Sequence, residues 1–388
     1  MFANAIMIRN FAKNLLRKKS VQIDFRLISN APQKLIRNHN ELKFLPKEEV
    51  SSFMAYFPKV VKDASYNDAI SDIPLINKRL ERCLNYYGPA GKFLRQHILI
   101  YVYQTIENHF GTFDPKKMEQ LYQLAWCLEM YNCQFMLLDD LLDNHDVRKG
   151  KKAWHKLENI GMSSMMDAFL VQGTMFRLLK KYFSNHPNYV FILENFSKVD
   201  VVSAMILETE TRNFEDFTLP RHMEIGVSKA SYYIMGQPFL LATLLSNKGA
   251  FINDSLKKIF DLIGILYTAQ NDMLDCYGEE FGAKPGNDIQ ENRCTALIVL
   301  ALRKASPKQR KQLEECYGVD DELKINTVKE IYEELDIVGE YHKFEADIHN
   351  KIAKEIEEIP DKLTLLLMEK LAYIYTFGRI GTLHTSKN

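Results

Sequence analysis

The sequence predicts an all-α protein, a large helical bundle, and three observations carry that expectation. Glycine (17) and proline (12) are sparse for 388 residues, so helix breakers are few. Apolar residues recur at spacings of three and four over long stretches, which is the period of a helix with a buried face. Runs of alternating apolar and polar residues, the mark of half-buried strands, are hard to find.

The chain opens on a segment unlike the rest. Arg9, Lys13, Arg17, Lys18 and Lys19 precede the first acid, Asp24. Arg9, Lys13 and Arg17 share one helical face, and Ile8, Phe11, Ala12, Leu15 and Leu16 lie mostly away from it. A basic, acid-free amphipathic start is expected of a mitochondrial transit peptide. Residues 1–45 are therefore read as a leader and 46–388 as one all-α domain. A solvated basic extension on a cytoplasmic protein is the alternative.

Bulk composition narrows the class. Lysine plus arginine (50) balances aspartate plus glutamate (50), so the basic excess of a nucleic-acid binder is missing. No apolar run reaches the roughly 18 residues that a membrane span requires. Six cysteines are scattered without a CxxC pair and read as reduced thiols.

Leu121 to Met130 runs unbroken into Phe135-Met-Leu-Leu-Asp139-Asp-Leu-Leu-Asp143-Asn. Asp139 and Asp143 are four apart, so both carboxylates share one helical face beside a buried segment. Like charges so placed repel unless a cation lies between them, and hard oxygen ligands suit Mg²⁺. Arg148, Lys149, Lys151 and Lys152 follow closely. Later, Ile259, Leu262, Ile263, Leu266 and Tyr267 lead into Asn271-Asp-Met-Leu-Asp275-Cys-Tyr-Gly-Glu279. Asn271, Asp275 and Glu279 again form one stripe, with Lys284, Asp288 and Arg293 beyond it. Two acidic stripes, each after an apolar helix and each followed by cations, predict a metal-bridged diphosphate site built inside a bundle.

These residues carry a resemblance. Asp139-Asp-Leu-Leu-Asp143-Asn…Arg148-Lys-Gly150 and Asn271-Asp-Met-Leu-Asp275…Lys284…Gly286-Asn-Asp288…Arg293 resemble the two aspartate-rich motifs of trans-isoprenyl diphosphate synthases. The similarity runs over roughly residues 48–378. It includes Phe57-Pro-Lys-Val-Val-Lys-Asp63, Gly91-Lys92-Phe-Leu-Arg95 and Lys229 before Tyr232-Tyr233. The resemblance implies an isoprenoid synthase bundle around a deep central pocket, three Mg²⁺ ions, an allylic diphosphate substrate and a homodimer. By position it implies Asp139, Asp143 and Asp275 as metal ligands. It implies Arg148, Lys229 and Lys284 as contacts to the allylic diphosphate, and Lys92, Arg95 and Lys149 as the isopentenyl diphosphate site.

The departures fall mainly on the second substrate. Asn271 stands where the motif has aspartate, Ala90 replaces a glycine, Lys149 an arginine, Ala230 a threonine and Thr268 a glutamine. Lysine cannot grip a diphosphate bidentately as arginine does. The end, Ile374–Ile380, holds only Arg379 where a basic tail is usual. Asparagine with ligands four and eight residues on is also the second metal motif of class I terpene synthases, and the chain resembles insect terpene synthases derived from farnesyl diphosphate synthases. The expectation is therefore a Mg²⁺-dependent terpene synthase acting on an allylic diphosphate such as farnesyl diphosphate, making a sesquiterpene. Asp139, Asp143, Asn271, Asp275 and Glu279 would hold metal, with Arg148, Lys229, Lys284 and Arg293 on the leaving group. Phe135 would limit substrate length. It would line the cation's pocket with Tyr131, Tyr232, Tyr233 or Tyr267. The alternatives are a prenyltransferase making geranyl or farnesyl diphosphate, and a non-catalytic partner subunit.

Overall fold

The computed structural model describes residues 45–65, 73–248, 254–278 and 286–373. The proposed leader, Glu279, Lys284 and the stretch from residue 374 onward lie outside the described residues. What is described is almost wholly helical, as the spacing predicts.

Two short helices, α1 (Lys47–Ala55) and α2 (Phe57–Ser65), lead to α3 (Pro74–Tyr87) and α4 (Leu94–His109). Helix α5 (Met118–Leu142) has neither glycine nor proline in 25 residues and is buried on nearly every face, which marks it as a central helix rather than an amphipathic one. A hairpin of two-residue strands, Val147–Arg148 and Lys151–Lys152, follows. The chain continues through α6 (Ser164–Phe183), α7 (Tyr189–Ser197), α8 (Asp200–Glu210) and α9 (Leu219–Gly226). A π-helical segment, Val227–Gly236, joins α9 directly to α10 (Gln237–Ser246). The second long helix, α11 (Asp254–Tyr277), precedes α12 (Ala296–Lys304), α13 (Pro307–Cys316), α14 (Glu322–Glu334), α15 (Ile337–Glu357) and α16 (Lys362–Tyr373).

The main core gathers residues from α1 through α11 together with α15 and α16, and a second cluster is built from α11 to α15 with Phe217. Gly226 and Gly264 decide how the π segment meets α11. A β-carbon on Gly264 would stand 2.7 Å from Ser231 N, and one on Gly226 would stand 3.0 Å from Ile265 Cα. Two backbones therefore touch where only glycine fits, and this fixes the turn that carries Lys229. Asp167 ties three elements at one buried carboxylate. It accepts bonds from Arg79 Nε (2.5 Å) and Nη2 (2.7 Å) and from Trp154 Nε1 (2.7 Å).

Candidate active site

Both acidic clusters sit at helix C-termini. Asp139, Asp140 and Asp143 end α5, and Asn271, Asp272 and Asp275 occupy the last two turns of α11. The backbone carbonyls there already carry partial negative charge, so carboxylates add to an unfavourable field unless cations answer it. The structure supplies those cations. Arg148 bonds Asp139 through Nη2 and Asp140 Oδ1 through Nε at 2.5 Å. Arg293 Nη2 reaches Asp143 Oδ2 at 2.5 Å and Glu291 Oε2 at 3.0 Å. Arg293 thus links the segment after the second cluster to the first cluster. Lys229 Nζ donates to both oxygens of Glu208, at 2.8 and 2.9 Å, and Glu208 in turn stands 3.9 Å from Arg293.

The middle residue of each acidic pair has a different task. Asp140 is buried and accepts a 2.8 Å bond from Tyr87 OH. Burial raises its carboxyl, but His145, Arg148 and Tyr87 outweigh that and hold it below its ordinary pKa. Asp272 is likewise buried. It meets His222 Nε2 at 2.8 Å and accepts from Ala296 N at 2.8 Å, fastening α11 to α9 and α12. This leaves Asp139, Asp143, Asn271 and Asp275 as the more exposed members. Asp275 is steadied by Asp288 N, which donates to its Oδ1 at 2.9 Å. Burial, then neighbouring carboxylates, push Asp275 and Asp288 above the ordinary carboxylate range.

A divalent cation fits this donor set. Asp139, Asp143 and His145 offer ligand atoms within 4.8 Å of one another, and the raised carboxyls of the second cluster are groups that a cation would relieve. The acidic group needed for Mg²⁺ is therefore present.

A second polar centre lies along the inner face of α5. Glu129 is buried and accepts from Gln96 Nε2 (2.8 Å), Asn132 Nδ2 (3.2 Å) and Lys149 Nζ (3.3 Å). Burial pushes its carboxyl up, with Lys149 and Arg95 opposing. Asn132 Oδ1 accepts from Arg95 and, at 2.7 Å, from Tyr233 OH. The Arg95 guanidinium stacks over the Tyr233 ring at 4.2 Å. Lys149 has a positive φ of 51° in the hairpin turn, which bends it back toward Tyr87 O at 3.3 Å. Lys92 is exposed, and no ion pair engages it among the described residues.

The structure thus gathers most of the sequence-derived candidates into two connected groups. Phe135 packs edge-on against Tyr131 at 4.9 Å and against Tyr233 at 6.1 Å. Tyr232 instead hydrogen-bonds Asn195 and lies under Lys198 at 4.0 Å. Sequence reasoning assigned no role to Glu129, Asn132, Asp140, His145, Glu208 or Glu291. A signal existed for the first two, since polar residues three apart in an otherwise apolar helix need partners.

A polyprenyl synthetase family model matches residues 77–335. The chain is 31% identical to farnesyl pyrophosphate synthase of Murgantia histrionica over 89% of both chains. It is 27% identical to farnesyl pyrophosphate synthase of Gallus gallus over 84% of this chain and 92% of that one. The T. brucei farnesyl diphosphate synthase complexed with bisphosphonate has the same fold, with a TM-score of 0.77 over 85% of this chain and 99% of that one, at 21% identity. These relatives correct the terpene synthase expectation, because they are named farnesyl pyrophosphate synthases, which favours the prenyltransferase alternative. The departures around the second substrate do not dismantle its polar centre. In the structure Lys149 and Arg95 are held in place by Glu129 and Asn132 rather than left without support. The chain belongs to the polyprenyl synthetase family.

Proposed function

We propose that this chain is a prenyltransferase that joins isopentenyl diphosphate to an allylic isoprenyl diphosphate, giving a product of geranyl or farnesyl length. The observation that carries this reading is the division of cations into two sets, each with its own carboxylate. Arg148, Arg293 and Lys229 surround Asp139, Asp143 and Glu208, while Arg95 and Lys149 surround Glu129 and Asn132. One diphosphate needs one set, and two substrates need both.

Asp139, Asp143, Asn271 and Asp275 would hold Mg²⁺, three ions in this reading, and Glu279 belongs to the same stripe. Held by those residues, the metal would supply Lewis-acid stabilisation of the diphosphate leaving group. Arg148, Lys229, Arg293 and Lys284 bind that diphosphate and stabilise the charge it gains as the allylic carbon–oxygen bond breaks. Arg95, Lys149 and Lys92 orient the second diphosphate so that its terminal alkene carbon faces the allylic carbon; the new bond forms and a proton is lost. Tyr131, Phe135 and Tyr233 exclude water around the allylic cation, and their packing supports a short chain.

The exposed Met162, Met165, Met166 and Phe169 on and before α6 form an apolar strip that supports a homodimer. The basic leader supports mitochondrial import, which a reporter fused to residues 1–45 would test. For the activity, the purified chain with Mg²⁺ is given geranyl diphosphate with and without isopentenyl diphosphate. A longer diphosphate is expected only when both are present, and Asp139→Ala should abolish it. Hydrocarbon release without isopentenyl diphosphate, or full activity in Asp139→Ala, would overturn the reading.

A further inference from the structure

We infer that His145 is a nitrogen ligand of the metal held by Asp139 and Asp143, so that this half-site is a mixed nitrogen and oxygen site rather than an all-carboxylate one. The inference rests on the proposed metal-dependent reading and names a residue of this chain beyond its acidic motif.

The backbone brings His145 to the carboxylates. Helix α5 ends with Asp143 N bonded to Asp139 O at 2.9 Å. Asn144 then turns left-handed at φ 53°, and His145 N bonds back to Asp140 O at 3.0 Å. Asparagine tolerates that conformation better than most residues. The turn folds the imidazole under the helix end, where its nearest ligand nitrogen and oxygens of Asp139 and Asp143 all lie within 4.8 Å. Two ligands on one octahedral ion stand about 3.0 Å apart when cis and about 4.2 Å when trans, given bonds of about 2.1 Å. The present spacing, at most 4.8 Å, is within about 1 Å of the trans separation. Arg148, which now bonds both Asp139 and His145 Nδ1 (3.1 Å), would turn to the substrate diphosphate.

The surroundings suit a ligating histidine. Whichever ring nitrogen binds metal, the other has a carboxylate close by. Asp140 Oδ1 stands 3.5 Å from Nδ1, and Glu291 Oε1 stands 3.7 Å from Nε2. A carboxylate behind a metal-bound imidazole fixes the ring and raises its basicity. An imidazole in the set also shifts preference from Mg²⁺ toward Mn²⁺ and Co²⁺.

The test uses the full chain with Mn²⁺ and inorganic pyrophosphate, read by pulsed electron paramagnetic resonance, with folding of each variant checked by circular dichroism. Nitrogen-14 modulation on the bound Mn²⁺ is expected in the wild type and should vanish in His145→Ala. Co²⁺ affinity should fall roughly tenfold in that variant while Mg²⁺ affinity moves less than about threefold. Modulation that is absent from the wild type, or that persists in His145→Ala, overturns the ligand assignment and leaves the acidic site standing. Undiminished Mn²⁺ binding in Asp139→Ala would instead overturn the metal site itself.

Discussion

Gly286→Ala probes how the second acidic cluster is held. Gly286 N donates to Asp275 O at 2.9 Å, and the next turn brings Asp288 N to Asp275 Oδ1 at 2.9 Å. A β-carbon on Gly286 would stand 1.3 Å from Asp275 Oδ2 and 2.1 Å from Cγ. No relaxation of a few tenths of an ångström absorbs that overlap, so the Asp275 carboxylate must rotate away. It then loses a hydrogen bond to a charged acceptor, worth about 1.5–3 kcal/mol. If Asp275 acts in the transition state, that loss corresponds to roughly a tenfold to hundredfold drop in kcat/KM. The half-saturating Mg²⁺ concentration should rise with it. The paired control is Gly173→Ala on α6, where nothing lies within 4 Å of the added carbon. That change should raise stability by about 0.5–1 kcal/mol and leave kcat/KM alone. Steady-state kinetics against Mg²⁺, with thermal melts of both variants, decide the matter. A Gly286→Ala enzyme within about twofold of wild type at limiting Mg²⁺ would refute the role given to Asp275.

Three further outcomes are expected. Glu129→Ala removes the acceptor shared by Gln96, Asn132 and Lys149, so KM for isopentenyl diphosphate should rise at least about tenfold while KM for the allylic substrate changes little; equal effects on both would count against two separate diphosphate sites. Burial lowers His97 to about 4, so the folded state resists its protonation. Its contribution is intact above the unfolded value near 6.5 and is lost as pH falls toward 4, by at most about 3 kcal/mol, so His97→Phe should flatten the acid limb of a stability–pH curve. Asp167→Ala strands the Arg79 guanidinium and the Trp154 N–H together and should cost about 3 kcal/mol in chemical denaturation, with little change in KM for either substrate.

Much of the fold was legible because helical periodicity is a local property. The apolar run into Asp139 and the run into Asn271 became α5 and α11, the two long helices that end at the acidic clusters. The carboxylate stripes were legible for the same reason, since residues four apart share a face before any tertiary contact forms. The pairing of groups distant in sequence was not. Arg293 on Asp143, Lys229 on Glu208 and Arg95 on Asn132 join residues 150, 21 and 37 positions apart. Periodicity says nothing about which helix ends meet.

The second polar centre was hidden for the same reason. Lys149 read singly looks like a weakened arginine, yet its worth depends on Glu129 twenty residues earlier and on a left-handed turn that aims it there. Sequence alone determined that the chain is helical and carries two acidic stripes with cations behind them, because those follow from spacing along one helix. Only the tertiary structure decided which carboxylate answers each cation, that Asp140 and Asp272 serve as fastenings, and that His145 folds back under the first cluster. Those are facts of how helix ends pack against one another, and burial fixes each polar group to whichever partner the packing leaves within reach.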